Sequence, residues 1–292
     1  QKKKAYLYTS FAVTGDYMKY KSGILGYDLD RYENEYIHVR NYKYTFTSVL
    51  TLTFSAKHAT RTGFIVDNMH YNTVLKHAPD YNQGLIDVAD EKGASNMIQV
   101  FSQSKFSITR RFMLNAGLRG HYFDLNDELV VEPRFGLSYN IGKNQSVSLG
   151  YGKHSRLEPL TLYFAWIDDG SGISQLNKDL KVSKAHHLIF AYDISFNPNL
   201  RLKIEPYIQF LLDVPVIPDS SFSVLNMEAD WYFNRELINT GTGRNTGIDI
   251  TLERFLQDGY YYLFTASLFD SKFRGDDGIK RNTRFNTQYV FN

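Results

Sequence analysis

Few residues in this sequence are equipped for chemistry, and most of them have a plainer structural reading. His186 and His187 are adjacent. Neighbours in an extended chain point to opposite faces, so the pair cannot hold one metal ion without distortion. The stretch Gly241-Thr242-Gly243-Arg244-Asn245-Thr246-Gly247 has the glycines of a phosphate cradle. It lacks the Gly-Lys-Ser/Thr ending and leads into a strand-like segment rather than a helix, which marks it as the flexible base of a long loop. Asp168-Asp169-Gly170 and Asp276-Asp277-Gly278 offer carboxylate oxygens, but without the repeated spacing of an EF-hand loop, and they read as solvated turns. Neither a Gly-x-Ser-x-Gly elbow nor a His-Glu-x-x-His helix is written in the chain. An enzyme would have to assemble its site from separate segments, for example His154 with Ser155 or His187. Cysteine is absent, which removes disulfides, Cys-ligated zinc, iron–sulfur clusters and thiol catalysis. The expectation is a protein with no catalytic residue, metal site or cofactor.

The elements that would position any site follow a period of two. From Val182 to Phe196 the even positions Leu188, Phe190, Tyr192, Ile194 and Phe196 are apolar, whereas Ser183, His187, Asp193 and Ser195 occupy the odd ones. After the turn Asn197-Pro198-Asn199, Leu200, Leu202, Ile204, Ile208 and Phe210 alternate with Arg201, Lys203, Glu205, Tyr207 and Gln209, a hairpin with one charged wall. The same pattern recurs through residues 44–56, 129–141, 146–156 and 245–257. About twelve strands are expected, near 5–14, 44–56, 59–72, 96–109, 112–125, 129–141, 146–156, 181–196, 200–214, 245–257, 260–273 and 284–292, all in a single domain spanning 1–292. Residues 15–43 show no period that places them.

Composition narrows the class. The 292 residues carry 33 Lys and Arg against 31 Asp and Glu, a formal net charge of +2, which gives no electrostatic case for nucleic acid. Aromatics reach 15%, with 22 Tyr and 21 Phe. No stretch has the roughly 18 uncharged apolar residues of a spanning helix, and Gln1-Lys2-Lys3-Lys4 opens without a signal-peptide core. A spanning strand needs only about ten residues, half of them facing away from lipid. Short turns at 57–59, 109–111, 142–144, 197–199 and 257–259 alternate with longer connections near 77–94, 158–180, 215–244 and 274–283. That sorting of short and long is what an antiparallel transmembrane β-barrel shows at its two rims. Aromatics at Tyr6/Tyr8, Tyr122/Phe123, Tyr260 to Tyr262 and Tyr289/Phe291 would form its interfacial girdles. Segments of 12–15 residues are long for a soluble sandwich.

In a barrel the face opposite the apolar one lines the lumen. Glu132, Arg134, Arg201, Lys203, Glu205, Gln209, Asp249, Thr251 and Glu253 would make a polar wall there. Both tryptophans fall in long connections: Trp166 beside Asp168 and Asp169, and Trp231 beside Asp230 and Tyr232. An aromatic next to carboxylates suits a sugar or peptide ligand, and it equally suits an interfacial anchor.

Several blocks together resemble a known family. These are Tyr44 to His58 with Thr60-Arg61-Thr62-Gly63, Gly150 to Leu160, Glu205-Pro206-Tyr207 to Asp213-Val214-Pro215-Val216, Asn239 to Asp249, Asp258-Gly259-Tyr260-Tyr261, and Asp270 to Gly275. They resemble the barrel hairpins of TonB-dependent outer-membrane receptors of the kind abundant in Bacteroidetes. The resemblance implies a 22-stranded barrel with an N-terminal plug, importing a scarce nutrient with energy relayed by an inner-membrane TonB protein. It implies outer-membrane lipid around the barrel, a small-molecule, oligosaccharide or peptide ligand, and room for a surface lipoprotein partner. Neither plug nor closing strands can be seen in these residues, so the chain is expected to be a barrel portion. The alternatives are a soluble secreted β-sheet binding module, a small porin-like barrel and a barrel hydrolase.

Overall fold

The computed structural model describes residues 4–168, 170, 172–227, 233–257 and 259–292. Seven strands come first: β1 (Lys4–Leu25), β2 (Arg31–Ser55), β3 (His58–His77), β4 (Ile86–Ser107), β5 (Phe112–Phe123), β6 (Glu128–Asn140) and β7 (Gln145–Arg156). A four-residue helix, α1 (Leu160–Tyr163), and a short hairpin, β8 (Ile167–Asp168) with β9 (Ile173–Ser174), follow. The wall resumes with β10 (Ser183–Asn197), β11 (Leu200–Val216), β12 (Ile238–Gln257) and β13 (Tyr260–Arg274), edged by β14 (Lys280–Asn282) and β15 (Tyr289–Phe291). Apart from the β8–β9 hairpin all of these belong to one antiparallel sheet in chain order, each strand beside its predecessor in the wall, with β14 and β15 both paired to β13. The sheet is open, with β1 at one edge. It is a portion of a barrel wall.

Alternation decides the two faces. Phe46 and Leu50 of β2, Phe64 of β3, Val100 of β4, Phe135 of β6 and Phe210 of β11 are all exposed, and the strand registers put them on one face. A soluble monomer rarely leaves an apolar area of this extent in water. Lipid removes the penalty, and the ladder of a barrel wall satisfies the backbone groups that lipid cannot.

The stretch 15–43, unplaced by periodicity, forms the outer halves of β1 and β2 and the turn between them. β1 to β4 run 20–25 residues, about twice the roughly ten that cross a bilayer. Their outer halves therefore stand in water, where neither face need be apolar and the period disappears. The same reason removes the expected loop at 77–94. Residues 86–94 belong to β4, which leaves a connection of only 78–85.

Other expectations also change. The glycine-rich stretch 241–247 is strand, not loop base. Its glycines make room for neighbouring side chains: a Cβ on Gly241 would lie 2.4 Å from Val216, and one on Gly247 would lie 2.7 Å from the Tyr207 hydroxyl. Tyr6 and Tyr8 pair with Thr51 and Val49, on the face opposite Leu7 and Leu50, so they belong to no lipid-side girdle. The expected strand at 284–292 is reduced to β15.

β5 to β7 are only 12–13 residues long. Their outer rim is therefore lower than that of β1 to β4, and the 157–182 connection folds over it. Leu162, Tyr163 and Phe164 are buried against Ile37 and Val39 of β2, Tyr71 and Leu75 of β3 and Val88 of β4. The core of this structure thus sits on the polar face near the outer rim. An Arg replacing Leu50 on the apolar face should cost about 2–4 kcal/mol near the bilayer midplane, and an Arg replacing Thr51 much less. Urea unfolding of the complete receptor refolded into phospholipid vesicles reads both.

Candidate functional site

The polar face is built around one carboxylate. The β6–β7 ladder stops at Arg134↔Gly152, although both strands continue outward. Beyond that point a backbone N–H loses its ladder partner, and Glu132 supplies one. Its Oε1 accepts from the Ser155 amide at 2.9 Å and the Ser155 hydroxyl at 2.5 Å. Its Oε2 accepts from Arg119 at 2.9 Å and Arg134 at 3.0 Å. The carboxylate is fully buried, and two guanidiniums with four hydrogen bonds offset a desolvation that would otherwise be prohibitive.

The network continues sideways. Arg119 donates to the Gln99 carbonyl oxygen at 2.5 Å, the Gln99 amide donates to Asp67 at 3.0 Å, and Thr45 donates to Asp67 at 2.6 Å. It therefore ties β2 to β7. A second chain crosses the other half of the wall. Gln209 and His187 Nε2 are 2.6 Å apart, Asn245 donates to Gln209 at 2.6 Å, Ser271 donates to Asn245 at 2.7 Å, and Thr283 donates to Ser271 at 2.8 Å.

Between the two networks lies a hollow of about 440 Å³ with a floor of Gly117, Gly136, Gly150 and Gly152. Gln103, Asn115, Arg134, His154 and His187 rim it. The missing side chains of four glycines on three adjacent strands make the concavity. His154 and His187 meet edge to face across it, ring centroids 5.0 Å apart. His186 lies on the other face, its Nδ1 2.8 Å from the Tyr151 hydroxyl, as adjacency in a strand requires. Among the described residues no group of three or more His, Asp or Glu could hold a metal ion.

Nearer the outer rim, the two long connections are clamped together by a buried amide. Asn177 donates to the Arg235 carbonyl at 3.0 Å and accepts from the Leu237 amide at 2.8 Å. Asn126 holds the Leu180 carbonyl at 2.6 Å, and the Trp166 amide reaches Val88 at 2.6 Å. Burial raises the Tyr163 phenol far above its ordinary range, so it stays neutral. Between the connections is a cleft of about 480 Å³ lined by Ile167, Asp168, Leu176, Ile217, Pro218 and Arg235 among others.

The expected site residues are distributed among these features. Glu132 and Arg134 meet in the buried network. Registers put Arg201, Lys203, Glu205, Gln209, Asp249, Thr251 and Glu253 on the same face, in directly opposed pairs such as Glu205↔Asp249 and Arg201↔Glu253. Arg201 Nε donates to Asp193 at 3.0 Å, and Lys203 pairs with Glu205 at 2.7 Å. Of the two loop clusters, Trp166 is half-buried and Asp168 is exposed at the cleft. Asp169, Asp230, Trp231 and Tyr232 lie outside the described residues. His154 and Ser155 do not converge: Ser155 is engaged by Glu132 while His154 faces the hollow. Periodicity could not have found His121, Gln99, Asp67 or Asn177, because each is recruited by strand register or loop packing. The glycine floor was visible only as single residues on separate strands.

A sheet with an apolar lipid face, a hydrogen-bonded polar face and loops folded over one rim defines an outer-membrane barrel wall. The family model described as TonB dependent receptor-like, beta-barrel matches residues 3–290, and the chain belongs to that family. The chain is therefore part of an outer-membrane receptor or transporter. The solved structure of the ferric-catecholate import receptor Fiu from Escherichia coli K12 superposes with a TM-score of 0.69 at 16% identity, covering 98% of this chain and 48% of that one. The ferripyoverdine receptor of Pseudomonas aeruginosa gives 0.68 at 12% identity over 98% and 40%. The RagAB peptide transporter gives 0.58 at 14% over 95% and 35%. This chain thus spans about half or less of each. Among curated proteins none matches it.

Two outcomes test the site. Glu132→Ala leaves two guanidiniums and an amide without their acceptor and should cost about 3–5 kcal/mol in urea unfolding of the complete receptor. At the outer rim, the Asp219 amide and the Thr240 hydroxyl hold the Asp276 carboxyl below its ordinary value of 3.8. This contact between loops 217–237 and 275–279 is therefore fully present above that pH and is lost as pH falls through the lowered value. A spin label at position 221 should gain mobility on acidification to about pH 3, and Asp276→Asn should remove the pH dependence.

Proposed function

We propose that this chain forms the outer-loop capture site and lumen wall of a receptor that imports a scarce nutrient with TonB-relayed energy. The observation that carries the reading is the inward fold of the 157–182 connection. Phe164 packs on Tyr71, ring centroids 4.6 Å apart, and the segment buries apolar side chains on the same face as the Glu132 network. A ligand seated in the cleft beside Asp168 and Arg235 has to displace this segment to pass inward along the wall.

The polar set from Glu132 to Glu253 lines that route as solvating wall and as surface for a plug. The glycine-floored hollow leaves space for a group from the ligand or the plug. Its rim, with Arg134 and two imidazoles and no carboxylate, suits an anionic or hydrogen-bonding group. Small molecules, oligosaccharides and peptides all fit such a site, and the RagAB likeness supports keeping peptides among them. No covalent step is needed, so no catalytic residue is assigned. A surface lipoprotein would dock at the outer rim.

Because the chain has no cysteine, a pair introduced as Tyr71→Cys and Phe164→Cys can be joined selectively by a bifunctional maleimide in the complete receptor. The expected result is uptake reduced to the level of a strain lacking TonB while ligand binding persists. Unchanged uptake with the cross-link in place overturns the gating role.

A further inference from the structure

Above the apolar band, the lipid-side face of β1 to β4 changes chemistry. Ascending β2 on that face, Phe46 and Tyr44 give way to Tyr42, Arg40, His38 and Tyr36. Ascending β1, Phe11 and Val13 give way to Tyr17, Lys19 and Lys21. Strand pairing aligns Tyr17 with Arg40, His70 with Tyr42, and Lys92 with Asn72. This concentrates cations in the first rows beyond the bilayer core.

One groove is built into these rows. It has a volume of about 520 Å³ and is lined by Arg40, Tyr42, His70, Asn72 and Lys92, with Tyr71 and Gly93 completing it. Tyr42 and His70 stack at 4.7 Å between ring centroids with planes 9° apart, forming a flat aromatic wall. His70 is fixed by Asn68 at 2.6 Å. Arg40 and Lys92 are both exposed, and no ion pair or hydrogen bond of the described residues engages either side chain. No carboxylate lines the groove. The nearest acidic residues on this face sit further out, where Asp90 opposes Val74 and Asp87 is paired with Lys76 at 2.8 Å.

We propose that this groove binds the phosphorylated sugar headgroup of an outer-leaflet glycolipid. Arg40 and Lys92 take the phosphate, the Tyr42–His70 slab stacks on the sugar ring, and the acyl chains run down over Tyr44, Phe46, Phe64 and Val100. Each part of the site matches a part of such a lipid in its order of depth: charge outermost, ring next, hydrocarbon below. A free phosphate would use the two cations and leave the stacked wall and the apolar descent without a role. The lipid would brace the part of the wall that stands tallest above the membrane.

The test uses the complete receptor in a non-ionic detergent, titrated with diphosphorylated lipid A and followed by native mass spectrometry. Arg40→Gln and Lys92→Gln should each weaken binding about fivefold, and the double variant roughly 30-fold, as expected for about one phosphate-facing charge each. Raising salt should erode the difference. Lys143→Gln, in a turn at the opposite rim, should leave binding unchanged, and all variants should keep the wild-type unfolding midpoint because the residues are exposed. The proposal is overturned if the double variant binds as wild type, if Lys143→Gln weakens binding equally, or if dephosphorylated lipid A binds as tightly. It is also overturned if millimolar inorganic phosphate displaces the lipid fully, which would mark a small-anion site.

Discussion

Everything in this structure depends on the backbone hydrogen-bond ladder that lets a polypeptide stand in hydrocarbon. Lipid offers no partner to an N–H or a carbonyl, so each strand must satisfy its neighbours in the sheet, and the side chains on one face must then be apolar. The long antiparallel sheet meets that demand from β1 to β13. The other face is left free to be polar. Charges, amides and histidines that a soluble sandwich would keep outside are gathered there, on what becomes the inside of a barrel.

Where the ladder fails, a side chain takes over. The outer ends of β6 and β7 part after Arg134↔Gly152, and Glu132 fills the breach by accepting the Ser155 amide and balancing its own charge against Arg119 and Arg134. A buried carboxylate is a costly device for that purpose. Its return is that one residue joins the strands, fixes two guanidiniums and sets the electrostatics of the neighbouring hollow. The bulge near Asp213 works similarly: its positive φ of 55° breaks the β10–β11 and β11–β12 registers, and its carboxylate receives Lys184 at 2.7 Å.

Unequal strand lengths generate the rest. A tall wall of β1 to β4 beside a low wall of β5 to β7 leaves a gap at the outer rim that the 157–182 connection occupies, burying Tyr163 and Phe164. The tall wall also presents its lipid-side face above the bilayer, where it turns from apolar to basic within two or three residues of each strand. A receptor of this family thus carries recognition chemistry on both faces, separated by the thickness of one sheet.

How much of this could be read from the chain alone follows from the range of each interaction. Alternation is local, so the sequence by itself determined the strands within the membrane, the face of each residue from Glu132 to Glu253, the short turns and the family resemblance. The outer halves of β1 and β2 escaped because, in water, both faces of a strand tolerate polar residues and no period survives. The glycines of 241–247 were legible as flexibility, yet in the sheet they are clearance for Val216 and Tyr207. Only the tertiary structure decided that Glu132 meets Ser155, that Asn177 clamps two loops and that Arg40 and Lys92 share a groove. Those meetings depend on the register between strands and on loop packing, which join residues far apart in the chain and leave no periodic trace along it.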